Sequence, residues 1–196
     1  MNRNQVLPQV ELSSDPKALK GVDLLAYQTY HGKGFLSLHE TPRLATETAQ
    51  IGPEDGFAWE IQTFYDVALA GDPRQKMQLK LSGQLQLVCQ TCMQPCLVHI
   101  DEERQFIFVA DDTEADSFSM DDDALEPLVA STHFDLLATI EDEVLLSLPL
   151  IPKHPEGACG PVALAFPAGE GLHPDTDSVE KPGNPFNILK NMKKNS

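Results

Sequence analysis

The residues best suited to chemistry in this chain are its four cysteines, and three of them, Cys89, Cys92 and Cys96, fall within eight positions. Cys89 and Cys92 form a C-x-x-C pair, whose spacing at a turn lets both sulfurs face one point, as tetrahedral zinc requires. Two more ligands are needed. Cys159 is the fourth cysteine, and His154 precedes it by five positions. Cys89, Cys92, Cys159 and His154 would make a closed Cys₃His site, with Cys96 as the competing fourth ligand of a Cys₄ site. A closed site of this kind is structural, because it leaves no position for a reactive water. The rival chemistry is a thioredoxin-like dithiol, which normally follows a strand and opens a helix. Here the cysteines are followed by Pro95 and a new alternating segment, which points to a strand. A third reading is four ordinary cysteines that hold no metal.

Other chemistry is thin. There is no glycine-rich phosphate loop and no local signature of a Ser-His-Asp triad. His31, His39, His99, His133 and His173 are scattered and read as surface or satisfied histidines. Glu141, Asp142 and Glu143 could form an acid–base pair, but such a run is more often a solvated acidic face, and it is read here as lying on the surface of a helix.

The elements that must position the cysteines are written in the periodicity. Met77, Leu79, Leu81, Leu85, Leu87 and Cys89 occupy odd positions, while Lys76, Gln78, Lys80, Ser82, Gln84 and Gln86 occupy even ones. This is a strand with one wet face, and Gly83 within it marks a candidate bulge. After the cysteines, Val98, Ile100, Phe106 and Phe108 share a parity that Glu102 and Arg104 interrupt, suggesting a bend or a sheet edge. The two segments predict an antiparallel hairpin with a cysteine-bearing turn. Phe57 to Phe64 alternates as another strand, with the sole tryptophan, Trp59, as a core anchor. Leu36, Leu38 and Leu44 suggest the start of a further strand, and Asp15-Pro16 opens a short helix over Lys17–Lys20. Asp111 to Pro127 carries eight acidic residues and reads as a solvated loop. Residues 134–148 predict the main helix, with Leu136, Leu137, Ile140, Val144, Leu145 and Leu148 in one stripe, Asp135 as N-cap, and Pro149 and Pro152 ending it. If that helix packs on the sheet, its exit carries His154 and Cys159 to the hairpin turn. Residues 168–185 read as a linker, and Asn184 to Met192 as a short amphipathic helix before basic Lys193 and Lys194.

Charge narrows the partners. The 196 residues carry a formal net charge of −16. From Gln105 to Pro152 there are twelve Asp and Glu and no Lys or Arg. Phosphate backbones are bound largely through Lys and Arg, so this chain suits a basic partner better than a broad RNA surface. No run approaches the length of a membrane span, and the N-terminus lacks an apolar signal core. Both suggest a cytoplasmic protein, where thiols stay reduced and clustered cysteines point to metal or redox chemistry.

Several motifs together resemble the YceD family of large ribosomal RNA subunit accumulation proteins. They are Cys89-x-x-Cys92 after its strand, Phe134-Asp135-Leu136-Leu137, Ile140-Glu141-Asp142-Glu143, Leu148-Pro149-Leu150-Ile151-Pro152, the His154…Cys159 pair and Asn184-Pro185-Phe186. The resemblance spans roughly residues 57 to 192, and Asp15-Pro16 fits it too. It implies a non-enzymatic factor in the synthesis, processing or accumulation of 23S rRNA. Many members carry a cysteine-rich second half, and this chain departs from that pattern in offering His154 in place of a cysteine. The expected architecture is an α+β domain over residues 1–166, followed by a linker and basic tail over 167–196. Its antiparallel sheet would carry the cysteine hairpin, one packing helix and a flexible acidic loop. The acidic belt and the Glu141–Glu143 face would meet a basic ribosomal protein or an rRNA-processing factor. The competing functions are a metal-dependent nuclease, a dithiol oxidoreductase, and direct RNA binding through the basic tail.

Overall fold

The structure, a computed structural model, describes residues 7–66, 73–118 and 125–160. Alternating strand sequences build a six-stranded sheet of β1 (Gln9–Glu11), β2 (Thr29–Ser37), β3 (Gly56–Asp66), β4 (Arg74–Val88), β5 (Pro95–Val109) and β6 (Glu126–Val129), in that spatial order. The central pairs β2–β3, β3–β4 and β4–β5 are antiparallel. The short flanking strands pair in parallel, β1 with β2 and β6 with β5. Helix α3 (Leu136–Ser147) packs its apolar stripe into the core, with Leu136, Ile140 and Val144 at most 1% exposed. The architecture is α+β, with the predicted cysteine hairpin and one main packing helix.

The core lies under one face of the sheet. Met77, Leu79, Leu81, Leu85 and Cys89 from β4 and its end join Phe57, Trp59 and Ile61 of β3 there. Trp59 is 1% exposed, as a core anchor should be, although its indole N–H has no partner among the described residues.

Gly83 is not a bulge. The register runs without interruption from Lys76↔Ile107 to Val88↔Pro95, with Gly83 opposite Ile100 and Phe57. The glycine is there because the chains crowd: a Cβ at this position would stand 2.3 Å from the Gly56 carbonyl oxygen. At Glu102 and Arg104 β5 is an edge, as expected: it pairs with β4 throughout this stretch, while β6 joins its other side only from Phe106 to Val109. Arg104 Nε reaches Glu143 of α3 at 3.4 Å, so its polarity matches a carboxylate on the helix.

Three other expectations change. Leu36 lies in β2, but Leu38 belongs to a 3-10 turn and Leu44 to helix α1 (Pro42–Glu47). The Asp15-Pro16 opening yields only a single 3-10 turn, Ala18–Lys20, with the Asp15 side chain accepting from Lys17 N at 2.9 Å. Within the acidic stretch, Asp111 caps helix α2 (Asp112–Asp116) by accepting from Glu114 N, and Glu114 pairs with Arg74 at 2.6 Å. Strand β6 then begins at Glu126, inside the stretch expected to be loop. The linker, the tail and the boundary at 166 lie outside the described residues.

Candidate metal centre

Strand β4 delivers Cys89, 0% exposed, at the end of its core face. The turn to β5 closes through Cys89 N donating to Gln94 O and Met93 N donating to Cys89 O, both at 2.9 Å. Met93 takes φ 58°, the left-handed conformation that reverses the chain. Thr91 N points at Cys89 Sγ from 3.4 Å, a donor suited to a thiolate. Cys92 in this turn is 3% exposed.

The other half comes from the exit of α3. Asp135 caps the helix start, accepting from Ala138 N at 2.9 Å, and the chain turns extended at Leu148 before Pro149. It then runs beside the hairpin turn: Gln90 N donates to Pro152 O at 2.9 Å. His154 Nε2 lies 2.9 Å from the Pro95 carbonyl oxygen, which only accepts, so Nε2 donates there and Nδ1 is the nitrogen turned to the sulfurs. Past His154, the turn Pro155–Ala158, with Gly157 at φ 79°, brings Cys159 back.

The four donor atoms of Cys89, Cys92, His154 and Cys159 lie within 4.8 Å of one another. Zinc bonds of about 2.3 Å to sulfur and about 2.0 Å to nitrogen set tetrahedral edges of about 3.8 Å between sulfurs and about 3.5 Å from sulfur to nitrogen. Cys89 Sγ is 3.8 Å from Cys159 Sγ. Cys92 Sγ and Cys159 Sγ are 3.4 and 3.8 Å from His154 Nδ1. These three separations are compatible with edges of such a tetrahedron, and the S···S one is far longer than the S–S bond of about 2.05 Å in a disulfide. All four cysteines are free.

The electrostatics agree with a cation site. Burial raises the Cys89 thiol, but the backbone amides of Cys92, His154 and Thr91 and the His154 ring outweigh it and hold it down at about 5. Cys159 is pushed up to about 11 by burial and by its hydrogen bonds to Cys89 and Cys92. One sulfur is thus ready as thiolate while its neighbour holds its proton, because packed anions resist ionising together. A divalent ion relieves that repulsion and favours full deprotonation.

Cys96 is not one of the four. It is 2% exposed, and burial, followed by the nearby Cys89 and Cys92, raises its thiol above the ordinary value. Among the described residues this cluster is the one group of His, Cys, Asp and Glu side chains close enough to share an ion. His31, His39, His99 and His133 stand outside it, and His173 lies beyond the described residues. The C-x-x-C pair sits between two strands, not at the start of a helix as in a thioredoxin-like motif.

The acidic run on α3 is not a surface face. Glu141 and Glu143 are 5% and 4% exposed, and only Asp142 is open. Glu141 Oε1 accepts from the amides of Arg43 at 2.8 Å and Leu44 at 3.1 Å, and its Oε2 takes Arg43 Nε at 2.8 Å. One carboxylate therefore satisfies the first turn of α1 and pairs with its arginine. Arg43 also reaches Asp142 and the Ala138 carbonyl. Sequence reading missed these roles for Arg43 and Arg104. The signal was present as two acidic residues, Glu141 and Glu143, within a stretch that is otherwise apolar on both sides.

Residues 77–193 match the family described as large ribosomal RNA subunit accumulation protein YceD. The chain belongs to the YceD family. A relative bearing that name in Haemophilus influenzae is 32% identical over 126 residues, covering 62% of this chain and 68% of the relative. No solved structure matches the chain. The YceD match takes in the hairpin, α3 and all four clustered donor residues, whereas β1 to β3 and Asp15-Pro16 fall before it.

Proposed function

We propose that this chain is a non-catalytic factor that supports the synthesis, processing or accumulation of large-subunit (23S) rRNA in the cytoplasm. It does so by binding a basic ribosomal protein or rRNA-processing factor. A structural zinc ion, held by Cys89, Cys92, His154 and Cys159, fixes the β4–β5 turn to the exit of α3. The observation that carries the reading is a donor set of three sulfurs and one imidazole, complete without water, in a chain whose relative is named for large ribosomal RNA accumulation. Thiolate-rich tetrahedral sites select zinc over harder ions, and a full shell leaves no place to activate a nucleophile. The acidic balance of the chain, net −16, favours a basic partner. Glu141 and Glu143 are engaged inside the fold and take no part in that contact.

Protein purified without chelator should carry one zinc per chain. Cobalt substituted for it should give the intense visible absorption of tetrahedral thiolate coordination. Cells depleted of the chain should lose large-subunit rRNA relative to small-subunit rRNA. Metal-free protein with an octahedral or absent cobalt spectrum would remove the zinc assignment, and unchanged rRNA would remove the cellular role.

A further inference from the structure

Beside the metal centre is a groove of about 470 Å³ between the end of α1, the end of β4 and the exit of α3. Its apolar walls come from Leu87, Leu145, Leu148, Pro149, Leu150 and Pro152. Leu150 is 97% exposed, and its neighbours in sequence Leu146 and Ile151 are 70% and 56% exposed. By contrast, Leu136 and Leu137 at the start of α3 are buried, at 1% and 6% exposed. Large apolar side chains left exposed beside a groove are the kind of surface that contact sites use. Among the described residues the one charged residue lining the groove is Glu47, and from Leu136 through Pro152 the chain holds no Lys or Arg, the next cation being the exposed Lys153. A nucleic-acid backbone needs cations, and the groove supplies none.

We infer that this groove takes an apolar side chain from a basic protein segment, with Lys or Arg beside the anchor facing Glu47. The inference rests on the proposed role in large-subunit assembly and names the surface that role uses. The anchor fits the usual logic of recognition, in which a buried apolar residue carries the affinity and flanking charges set orientation and rate. The groove is also tied to the clamp. Gln90 lines it, and Gln90 N donates to Pro152 O, another lining residue, at 2.9 Å. The metal-bearing turn therefore holds one wall against the other.

The test titrates each purified large-subunit ribosomal protein, and protein-free large-subunit rRNA, against the zinc-loaded full chain. At least one ribosomal protein should bind. Leu150→Glu, at a position too exposed to unfold the chain, should weaken it by about tenfold or more, as loss of an anchor does. Glu47→Lys should weaken it several-fold and flatten its salt dependence. Phe64→Glu, near the opposite end of β4, should change nothing. Zinc content equal to wild type confirms that each variant is folded at the clamp. The idea is overturned if no ribosomal protein binds, if binding ignores both groove substitutions, or if only rRNA binds. Self-association that Leu150→Glu abolishes would assign the groove to a second copy of the chain instead. In depleted cells, full rescue by Leu150→Glu would sink the groove and leave the rRNA role standing. Failure of rescue by the wild-type chain would sink the role itself.

Discussion

Helix α3 is gripped at two places by different physics. In its middle, Glu141, Asp142 and Glu143 reach Arg43 on α1 and Arg104 on β5. Just past its end, His154 and Cys159 meet Cys89 and Cys92 across more than sixty residues of sequence. The carboxylate grip uses half-exposed arginines, 49% and 46% open, so water and salt screen its outer contacts. Its firm part is the buried Glu141 carboxylate on the amides of α1. With the proposed zinc bound, the sulfur grip would draw on coordination bonds that salt does not screen, and the binding energy would become folding energy. The first grip orders a short helix locally. The second would reinforce the placement of residues 149–159, which are mostly exposed and otherwise held by the Gln90–Pro152 and His154–Pro95 contacts.

The comparison is sharpened by removing one contact at a time. Cys92→Ser should have the largest effect: loss of stoichiometric zinc and, as for other structural metal sites, destabilisation above about 4 kcal/mol, read by denaturant titration with and without chelator. Should Cys92→Ser match wild type in both metal content and stability, the sulfur cluster would be ordinary packing. Glu141→Ala comes next, at about 2–4 kcal/mol, because it strands two helix amides and a partly buried arginine. Its zinc content should be unchanged, which separates the two grips. Cys96→Ala should cost about 1–2 kcal/mol, the loss of a small buried side chain, and also keep the metal. Metal loss in this variant would move the fourth ligand from His154 to Cys96.

The smallest effect concerns pH. Burial, reinforced by Glu126 and only partly offset by Arg104, raises the Glu143 carboxyl above its ordinary 4.5. The folded chain then holds this proton more tightly than the unfolded chain. The associated stability is present below pH 4.5 and is lost as pH rises through the raised folded value. Glu143→Gln should flatten that part of the stability–pH curve, by about 1 kcal/mol or less given the exposed arginine. A curve identical to wild type through that window would mean the carboxyl is solvated after all.

What the sequence alone determined is local and periodic. Odd–even alternation wrote β4 and β5 and the cysteine turn between them, because a strand with one dry face must alternate. Leucine spacing, Asp135 and Pro149 wrote α3 and both its ends. The donor types and the C-x-x-C spacing put a metal site first, ahead of ordinary cysteines and a redox dithiol. Only the tertiary structure decided which distant groups meet. It placed His154 and Cys159, and not Cys96, at the Cys89–Cys92 turn, through the Gln90–Pro152 and His154–Pro95 contacts that no spacing rule encodes. It buried Glu141 and Glu143, which a helical wheel leaves on the surface, because their arginine partners come from α1 and β5. It turned Gly83 from a suspected bulge into a close backbone approach. In each case the reason is the same: polarity along a chain reports what a residue is, while its partner is set by packing between elements far apart in sequence.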